Sequence, residues 1–170
     1  MPSISTHLHL ALLASDRLPI TDTDAFLLGS VYPDQMYISE YKSVLLHYKE
    51  HVEDPCDLKR FLECESKDDF TLGYYYHLWC DEYVKHVELE DITKYDRLIC
   101  DMEVLIPVIQ RLCNNSYTGK YQQSMENIMI LEREPMPLYL VSPSKKEKYV
   151  EVLESIVDAF VKELECVCNM

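Results

Sequence analysis

The feature that most constrains the fold is a run of mostly apolar residues between about positions 70 and 83, which also carries a histidine and an aspartate. Its large apolar side chains are Phe70, Leu72, Tyr74, Tyr75, Tyr76, Leu78, Trp79 and Tyr83. At helical spacing they point to nearly all sides, and a helix of that kind lies buried in the middle of a protein. We expect Ser66 or Asp68 to cap this helix and the helix to reach about Glu82 or beyond.

The rest of the chain also favours helices. Only 3 glycines occur among 170 residues, which leaves little material for the tight turns of β-hairpins. Apolar periodicity predicts further helices over about 7–17, 25–30, 42–49, 57–64, 91–112 and 119–132, and a last one that starts at Ser142 or Ser144. Thr6 is the expected N-cap of the first, and Pro107 should kink or interrupt the helix that contains it. With no repeat and no linker, the prediction is an all-α, single-domain multi-helix bundle over residues 1–170.

Charge and cysteine content narrow the compartment and the partners. The net charge of −14 comes without a basic stripe, so we expect no nucleic acid partner and poor binding to anionic membranes. No secretory signal and no transmembrane segment are recognisable, which favours a cytoplasmic protein. The 7 cysteines are then reduced and mostly buried. Cys166 and Cys168 form the closest pair, and a metal-binding or redox role for them is a weaker alternative.

The central helix carries the strongest chemical signal. His77 and Asp81 are four residues apart, which places both on one face of the helix, where they can share one metal ion. An ionised aspartate in a buried helix needs a compensating charge, and a metal would supply it. The alternative is a simple hydrogen-bonded His–Asp pair. Gly73, one turn earlier, has no side chain and would let another backbone or a ligand come close.

Further candidates lie in other segments. His7 and His47 sit beside apolar, aromatic or capping positions, and Asp34 follows a Tyr-Pro turn. The motifs occur in a fixed order: Thr6-His7, Leu28-Gly29-Ser30-Val31-Tyr32-Pro33-Asp34, Leu46-His47-Tyr48, and Leu72-Gly73-x-x-x-His77-x-x-x-Asp81. Together they resemble the zinc-dependent phospholipase C family over about residues 5–97, and in particular its small bacterial members without a signal peptide. That resemblance implies a phospholipase C/zinc-nuclease-like helical bundle.

The same resemblance implies a set of metal ligands. His77, Asp81 and His47 match the ligands of one zinc ion, and Asp81 matches the carboxylate that bridges two ions. His7 and Asp34 match ligands of a second ion, whose amino-terminal ligand in the secreted enzymes has no counterpart here. A third ion would draw on His86 and Asp96.

The third set is incomplete, because Ile92 stands where the family has a histidine.

The sequence therefore predicts a metal-dependent hydrolase of phosphate esters, such as a phosphodiester or a phospholipid-like molecule, acting through a metal-activated water. One to three Zn²⁺ ions are expected, with two favoured, and Mn²⁺ or Fe²⁺ can occupy similar sites. Asp81 is the expected catalytic residue, and the substrate is a small phosphate ester. The alternatives are a non-catalytic helical metal-binding protein on the same scaffold and a metal-free helical module that binds a partner. The substrate, the number of ions and the oligomeric state stay open.

Overall fold

The computed structural model describes residues 2–34, 39–87, 89–131, 136 and 138–168, with side chains up to residue 165. The helices are α1 Ile4–Ser15, α2 Thr23–Gly29, α3 Glu40–Leu46, α4 Leu58–Cys64, α5 Asp69–Tyr83, a 3-10 turn Val84–His86, α6 Lys94–Cys113, α7 Gly119–Leu131 and α8 Pro143–Cys168. No strand occurs among the described residues. The predicted all-α class is confirmed at that level.

Polar caps explain where most of these helices begin. The side chains of Asp22, Ser39, Asp57 and Asp68 accept a backbone N–H from the first turn of α2, α3, α4 and α5. The prediction for α1 was wrong: Ser3, not Thr6, is its N-cap, and the Ser3 hydroxyl accepts the N–H of Thr6 at 3.3 Å. The helix therefore starts at Ile4, and His7 lies a full turn inside it.

α5 is the central helix, as its composition predicted. Its buried residues run almost without interruption from Phe70 to Asp81. α2 lies along one side of it, and α8 packs on another through Phe160, whose ring meets those of Tyr76 and Trp79 at centroid distances of 4.3 and 5.1 Å. α1 packs in turn on α6 and α8.

Two glycines let α2 and α5 touch backbone to backbone. A Cβ built at Gly73 would lie 2.0 Å from the carbonyl oxygen of Phe26, and one at Gly29 would lie 1.9 Å from that of Phe70. Neither position has room for any side chain, because the obstacle is main chain on both sides. The close backbone approach expected at Gly73 is confirmed, and it brings the end of α2 against His77.

Two helices differ from prediction in instructive ways. α6 continues through Pro107 from Lys94 to Cys113, so the expected interruption is absent. α3 stops at Leu46 because Tyr48 adopts a left-handed φ of 52°, while the N–H groups of Tyr48 and Lys49 donate to the carbonyls of Leu45 and Val44. This is a Schellman C-cap with tyrosine where glycine is usual, a strained arrangement beside His47.

Within the described residues, no helix combines the length and the apolar character needed to cross a membrane. The thiols of Cys56, Cys80 and Cys100 are buried and form no disulfide. The side chains of Cys166 and Cys168 lie outside the described residues.

Candidate metal centre

Five predicted ligands, drawn from four segments of the chain, converge on one buried point. His7 comes from the second turn of α1, Asp34 from the turn after α2, His47 from the C-cap of α3, and His77 and Asp81 from one face of α5. The side chains of His7, His47, His77 and Asp81 are at most 5% exposed, and Asp34 is the most accessible at 17%.

The two carboxylates each lie close to the same pair of imidazoles, and the potential ligands form two groups, Asp34–His47–His77 and His7–His77–Asp81. The Nε2 atoms of His47 and His77 are 3.4 Å apart. Oδ1 of Asp34 lies 3.6 Å from Nε2 of His47 and 3.7 Å from Nε2 of His77, and Oδ2 of Asp81 lies at the same two distances from them. Ligands at about 2.0–2.2 Å from a tetrahedral zinc ion are about 3.3–3.6 Å apart, which these separations approach closely.

Backbone carbonyls fix which ring nitrogen points inward. Nδ1 of His77 lies 2.8 Å from the carbonyl oxygen of Ser30, and Nδ1 of His47 lies 2.8 Å from that of Ser43. A carbonyl only accepts, so both Nδ1 atoms carry the proton and donate it. In the neutral rings the two Nε2 lone pairs then face one another, an arrangement that a shared cation stabilises. Metal-bound histidines are held by an outer partner in the same way.

Asp81 faces two directions at once. Its Oδ2 approaches His47 and His77, while its Oδ1 lies 3.3 Å from Nε2 of His7. Both carboxylate oxygens of Asp81 and both ring nitrogens of His7 are buried without a hydrogen-bond partner. Buried polar atoms are nearly always satisfied, and a divalent cation between these side chains would satisfy all of the atoms that face it. The residues present therefore fit a divalent cation.

The electrostatics keep the carboxylates charged. Burial alone would raise the pKa of Asp81, but the imidazoles of His7, His77 and His47 outweigh it and hold that pKa well below its usual range. The pKa of Asp34 is lowered in the same way, since its desolvation is outweighed by His77 and His47. Desolvation, with His7 adding to it, lowers the pKa of His77 to about 4. For His47, contacts with Asp34, the Ser43 carbonyl and Asp81 overcome desolvation and raise the pKa.

The pairing of Asp34 differs from the resemblance-based expectation. Oδ1 of Asp34 lies within 3.7 Å of His47 and His77, and Asp34 forms a group of potential ligands with these two rather than with His7. Asp81 links His7 to the other three ligands, because one oxygen of its carboxylate faces His7 and the other faces His47 and His77.

The candidates for a third ion do not assemble among the described residues. His86 is exposed at the end of the 3-10 turn and joins no group of potential ligands. The Asp96 carboxylate is used in a capping box with Thr93 at the start of α6 and in a 2.9 Å ion pair with Lys145. Ile92, at the family's histidine position, is buried in the core.

The neighbouring tyrosines are mostly occupied elsewhere. The hydroxyl of Tyr48 donates to Glu65, that of Tyr74 to the carbonyl of Leu46, and that of Tyr76 to the carbonyl of Leu10. These three phenols support the structure around the centre rather than reach into it.

Asp101, which sequence reasoning did not single out, forms a second polar cluster next to the centre. It is fully buried and accepts bonds from His9, Ser5, Thr6 and Tyr149. His9 is buried in the core, on a different side of α1 from His7. The one available signal was the polar sequence Ser5-Thr6-His7-x-His9 at the start of an otherwise apolar helix.

Comparison with known proteins gives no family assignment. No family model, no curated protein and no solved structure matches this chain.

Proposed function

We propose that the chain is a metal-dependent hydrolase of phosphate esters, built on a scaffold similar to that of the zinc-dependent phospholipase C family. The observation that carries the proposal is the convergence of two carboxylates and three imidazoles in which Asp81 presents one oxygen to each of two positions. A bridging carboxylate of this kind is the usual feature of two-ion sites that cleave phosphate esters.

The two positions would be unequal. One ion would be held by Asp34, His47 and His77, with Oδ2 of Asp81, 3.6–3.7 Å from both histidines, as the candidate fourth ligand. At the other position the described residues offer Nε2 of His7 and Oδ1 of Asp81, which leaves coordination places for substrate oxygens. Ions held there would supply Lewis acidity and a water activated for attack on phosphorus.

The residues of the chain have defined tasks in this scheme. His47 and His77 present unprotonated Nε2 atoms because Ser43 and Ser30 hold their Nδ1 protons. Asp81 stays ionised and fixes the spacing of the two positions. Asp34, the most accessible ligand, marks the side from which a substrate would enter. The net charge of −14 disfavours polyanions and favours a small phosphate ester.

One observation favours a second candidate, a non-catalytic metal-binding protein. Closed four-ligand sites are typical of structural zinc, and four of the five side chains here are at most 5% exposed. The two functions differ in whether the His7–Asp81 position takes up an ion and whether turnover follows.

The test combines metal content, stability and turnover. Protein purified without chelator is analysed for Zn²⁺, Mn²⁺ and Fe²⁺ and assayed with a chromogenic phosphodiester and a phosphomonoester, before and after chelation. We expect about two equivalents of metal and turnover that chelator abolishes and metal restores. Metal at a hundredfold excess over its Kd should stabilise the fold by about 2.7 kcal/mol, or roughly 5–10 °C in Tm.

Asp81→Asn should remove both the turnover and the metal-dependent rise in Tm, because the neutral amide cannot bridge two cations. Glu82→Gln is the matched control: it changes the next carboxylate on α5, which pairs with Lys85 and not with the centre. One tightly bound ion without turnover would support the second candidate, a non-catalytic metal-binding protein. Absence of any metal, with the same Tm for Asp81→Asn at all metal concentrations, would reject both.

A further inference from the structure

The ligand His7 lacks the local support that the other two histidines have. His47 and His77 each donate Nδ1–H to a backbone carbonyl, whereas neither ring nitrogen of His7 has a hydrogen-bond partner. Its imidazole stacks on that of His77 at a centroid distance of 3.8 Å. The position of the His7 ring therefore depends on the position of α1, together with the contacts to His77 and to Oδ1 of Asp81.

The position of the start of α1 is fixed by one carboxylate on another helix. Oδ2 of Asp101, on α6, accepts hydrogen bonds of 2.9 Å from the hydroxyls of Ser5 and Thr6. Its Oδ1 accepts bonds of the same length from Nδ1 of His9 and from the hydroxyl of Tyr149 on α8.

Three of these four donors bracket His7 in the sequence: Ser5 and Thr6 precede it, and His9 follows it. Asp101 is 0% exposed, so the network excludes water, and each carboxylate oxygen has two donors. A fully satisfied buried network of this kind specifies a single geometry. It holds the backbone on both sides of His7 against α6 and α8.

We infer that Asp101 is a positioning residue for the metal centre. Asp101 holds the first two turns of α1 in place through Ser5, Thr6 and His9. This places the His7 imidazole over His77 and its Nε2 beside Asp81, although Asp101 bonds to none of these ligands. The inference deepens the proposed function and rests on it for its chemical meaning. The position of His7, on which the inference depends, can be measured in the metal-free protein.

The informative variant is Asp101→Asn, which keeps the volume but replaces one acceptor oxygen with a donor amide. Two of the four hydrogen bonds then lose their acceptor, and α1 is released from its fixed position. Asp96→Asn is the control: it removes a buried carboxylate that caps the same helix and pairs with Lys145, and it makes no contact with α1.

The first measurement is the imidazole NMR spectrum of the metal-free protein with labelled histidine. In Asp101→Asn the His7 ring resonances should shift toward those of an unstacked imidazole or broaden, while those of His77 and His47 move less. In Asp96→Asn all three should keep their wild-type positions. If His7 is unchanged in Asp101→Asn, or changes equally in both variants, the inference is wrong.

The second measurement is a Zn²⁺ titration. Asp101→Asn should weaken the ion that depends on His7 by at least about tenfold, as loss of an outer partner does in other metal sites, and leave the four-ligand ion within about threefold. Equal weakening of both ions would overturn the inference. A wild-type protein that binds no metal would instead refute the proposed function, and the NMR result would still decide the role of Asp101.

If Asp101→Asn fails to fold, Tyr149→Phe provides the same test in milder form. It removes one donor from Oδ1 and leaves the three bonds from α1 in place. A smaller displacement of the His7 resonances in the same direction supports the inference, and none at all contradicts it.

Discussion

His47 and His77 are oriented by the same kind of hydrogen bond but differ in their surroundings. Each donates Nδ1–H to a carbonyl and lies within 3.7 Å of Asp34, yet His77 is 0% exposed and stacks on His7, whereas His47 is 5% exposed. Burial disfavours the imidazolium of His77, while carboxylate contacts favour that of His47. In the metal-free protein His47 should therefore take up a proton before His77 does.

This order of protonation is testable. In metal-free protein, NMR titration should show His47 protonating above the ordinary value of about 6.5 and His77 near a pKa of about 4. For His77, folding favours the neutral ring, so its contribution to stability is complete above about pH 6.5 and is lost as the pH falls toward 4. His47 contributes in the opposite sense, and its share is lost as the pH rises through its raised pKa. Protonation of His77 before His47 would contradict the geometry.

The sequence predicted which residues lie at the centre, but it did not predict correctly which of them lie next to one another. The four-residue spacing of His77 and Asp81 placed both on one face of α5, and helical geometry alone suffices for that. Asp34 was assigned to His7, but it faces His47 and His77, because the path of the turn after α2 is not encoded in any local spacing. Asp101 was missed because Ser5, Thr6 and His9 lie more than 90 residues before it in the chain, and Tyr149 lies 48 residues after it.

At the level of elements, the contact between α2 and α5 determines how the His77 ring is oriented. The main chains touch at Gly29 and Gly73, and the carbonyl of Ser30, just past the end of α2, accepts the Nδ1 proton of His77. Separating the two helices would break that bond and free the ring to rotate.

Gly73→Ala should therefore be strongly destabilising for its size. The new methyl group would lie 2.0 Å from the Phe26 carbonyl oxygen, and a backbone cannot yield as a flexible side chain can. We expect a loss of about 2–3 kcal/mol or more in the free energy of unfolding, measured by urea denaturation, together with weaker metal binding. Glu154→Ala, on the exposed face of α8, should stay within about 0.5 kcal/mol of wild type. A Gly73→Ala protein as stable as that control would show that the helices are not in this contact.

Element boundaries were predictable only where the cap was unambiguous. Asp68 was one of two expected caps for α5 and is the one used. Ser3, rather than Thr6, is the N-cap of α1, and the hydroxyl of Thr6 donates to Asp101 instead. Pro107 does not end α6, because the apolar residues on both sides of it, Leu105 and Ile109, remain buried in the core and hold the helix together.

Over the whole molecule, the dominant electrostatic term is the excess of 30 acidic over 16 basic residues. A compact chain brings like charges closer than an unfolded one does, so self-repulsion opposes folding. The unpaired negative charge also attracts divalent cations toward the protein before any specific contact forms.

Salt should therefore stabilise the metal-free protein. Raising NaCl from about 10 mM to about 150 mM shortens the screening length from about 30 Å to about 8 Å and should raise Tm by a few degrees. The surface ion pairs that salt weakens are each worth only about 0–1 kcal/mol. Thermal unfolding followed by circular dichroism in chelator-treated buffer measures the effect, and KCl should act equally. A fall in Tm with added salt would mean that attractive pairs outweigh the net charge.

The support of α3 has a consequence for the kinetics of the centre. α3 has no buried residue of its own, yet its C-cap is His47. The C-terminal end of the helix is held near the core by three contacts: Tyr74 bonds the Leu46 carbonyl, the ring of Tyr48 packs on Phe61, and His47 faces the centre. His77 and Asp81, in contrast, are rigid parts of α5. If the centre holds an ion as proposed, its release should loosen the end of α3, and amide hydrogen exchange in this helix should be faster after chelation than in metal-saturated protein.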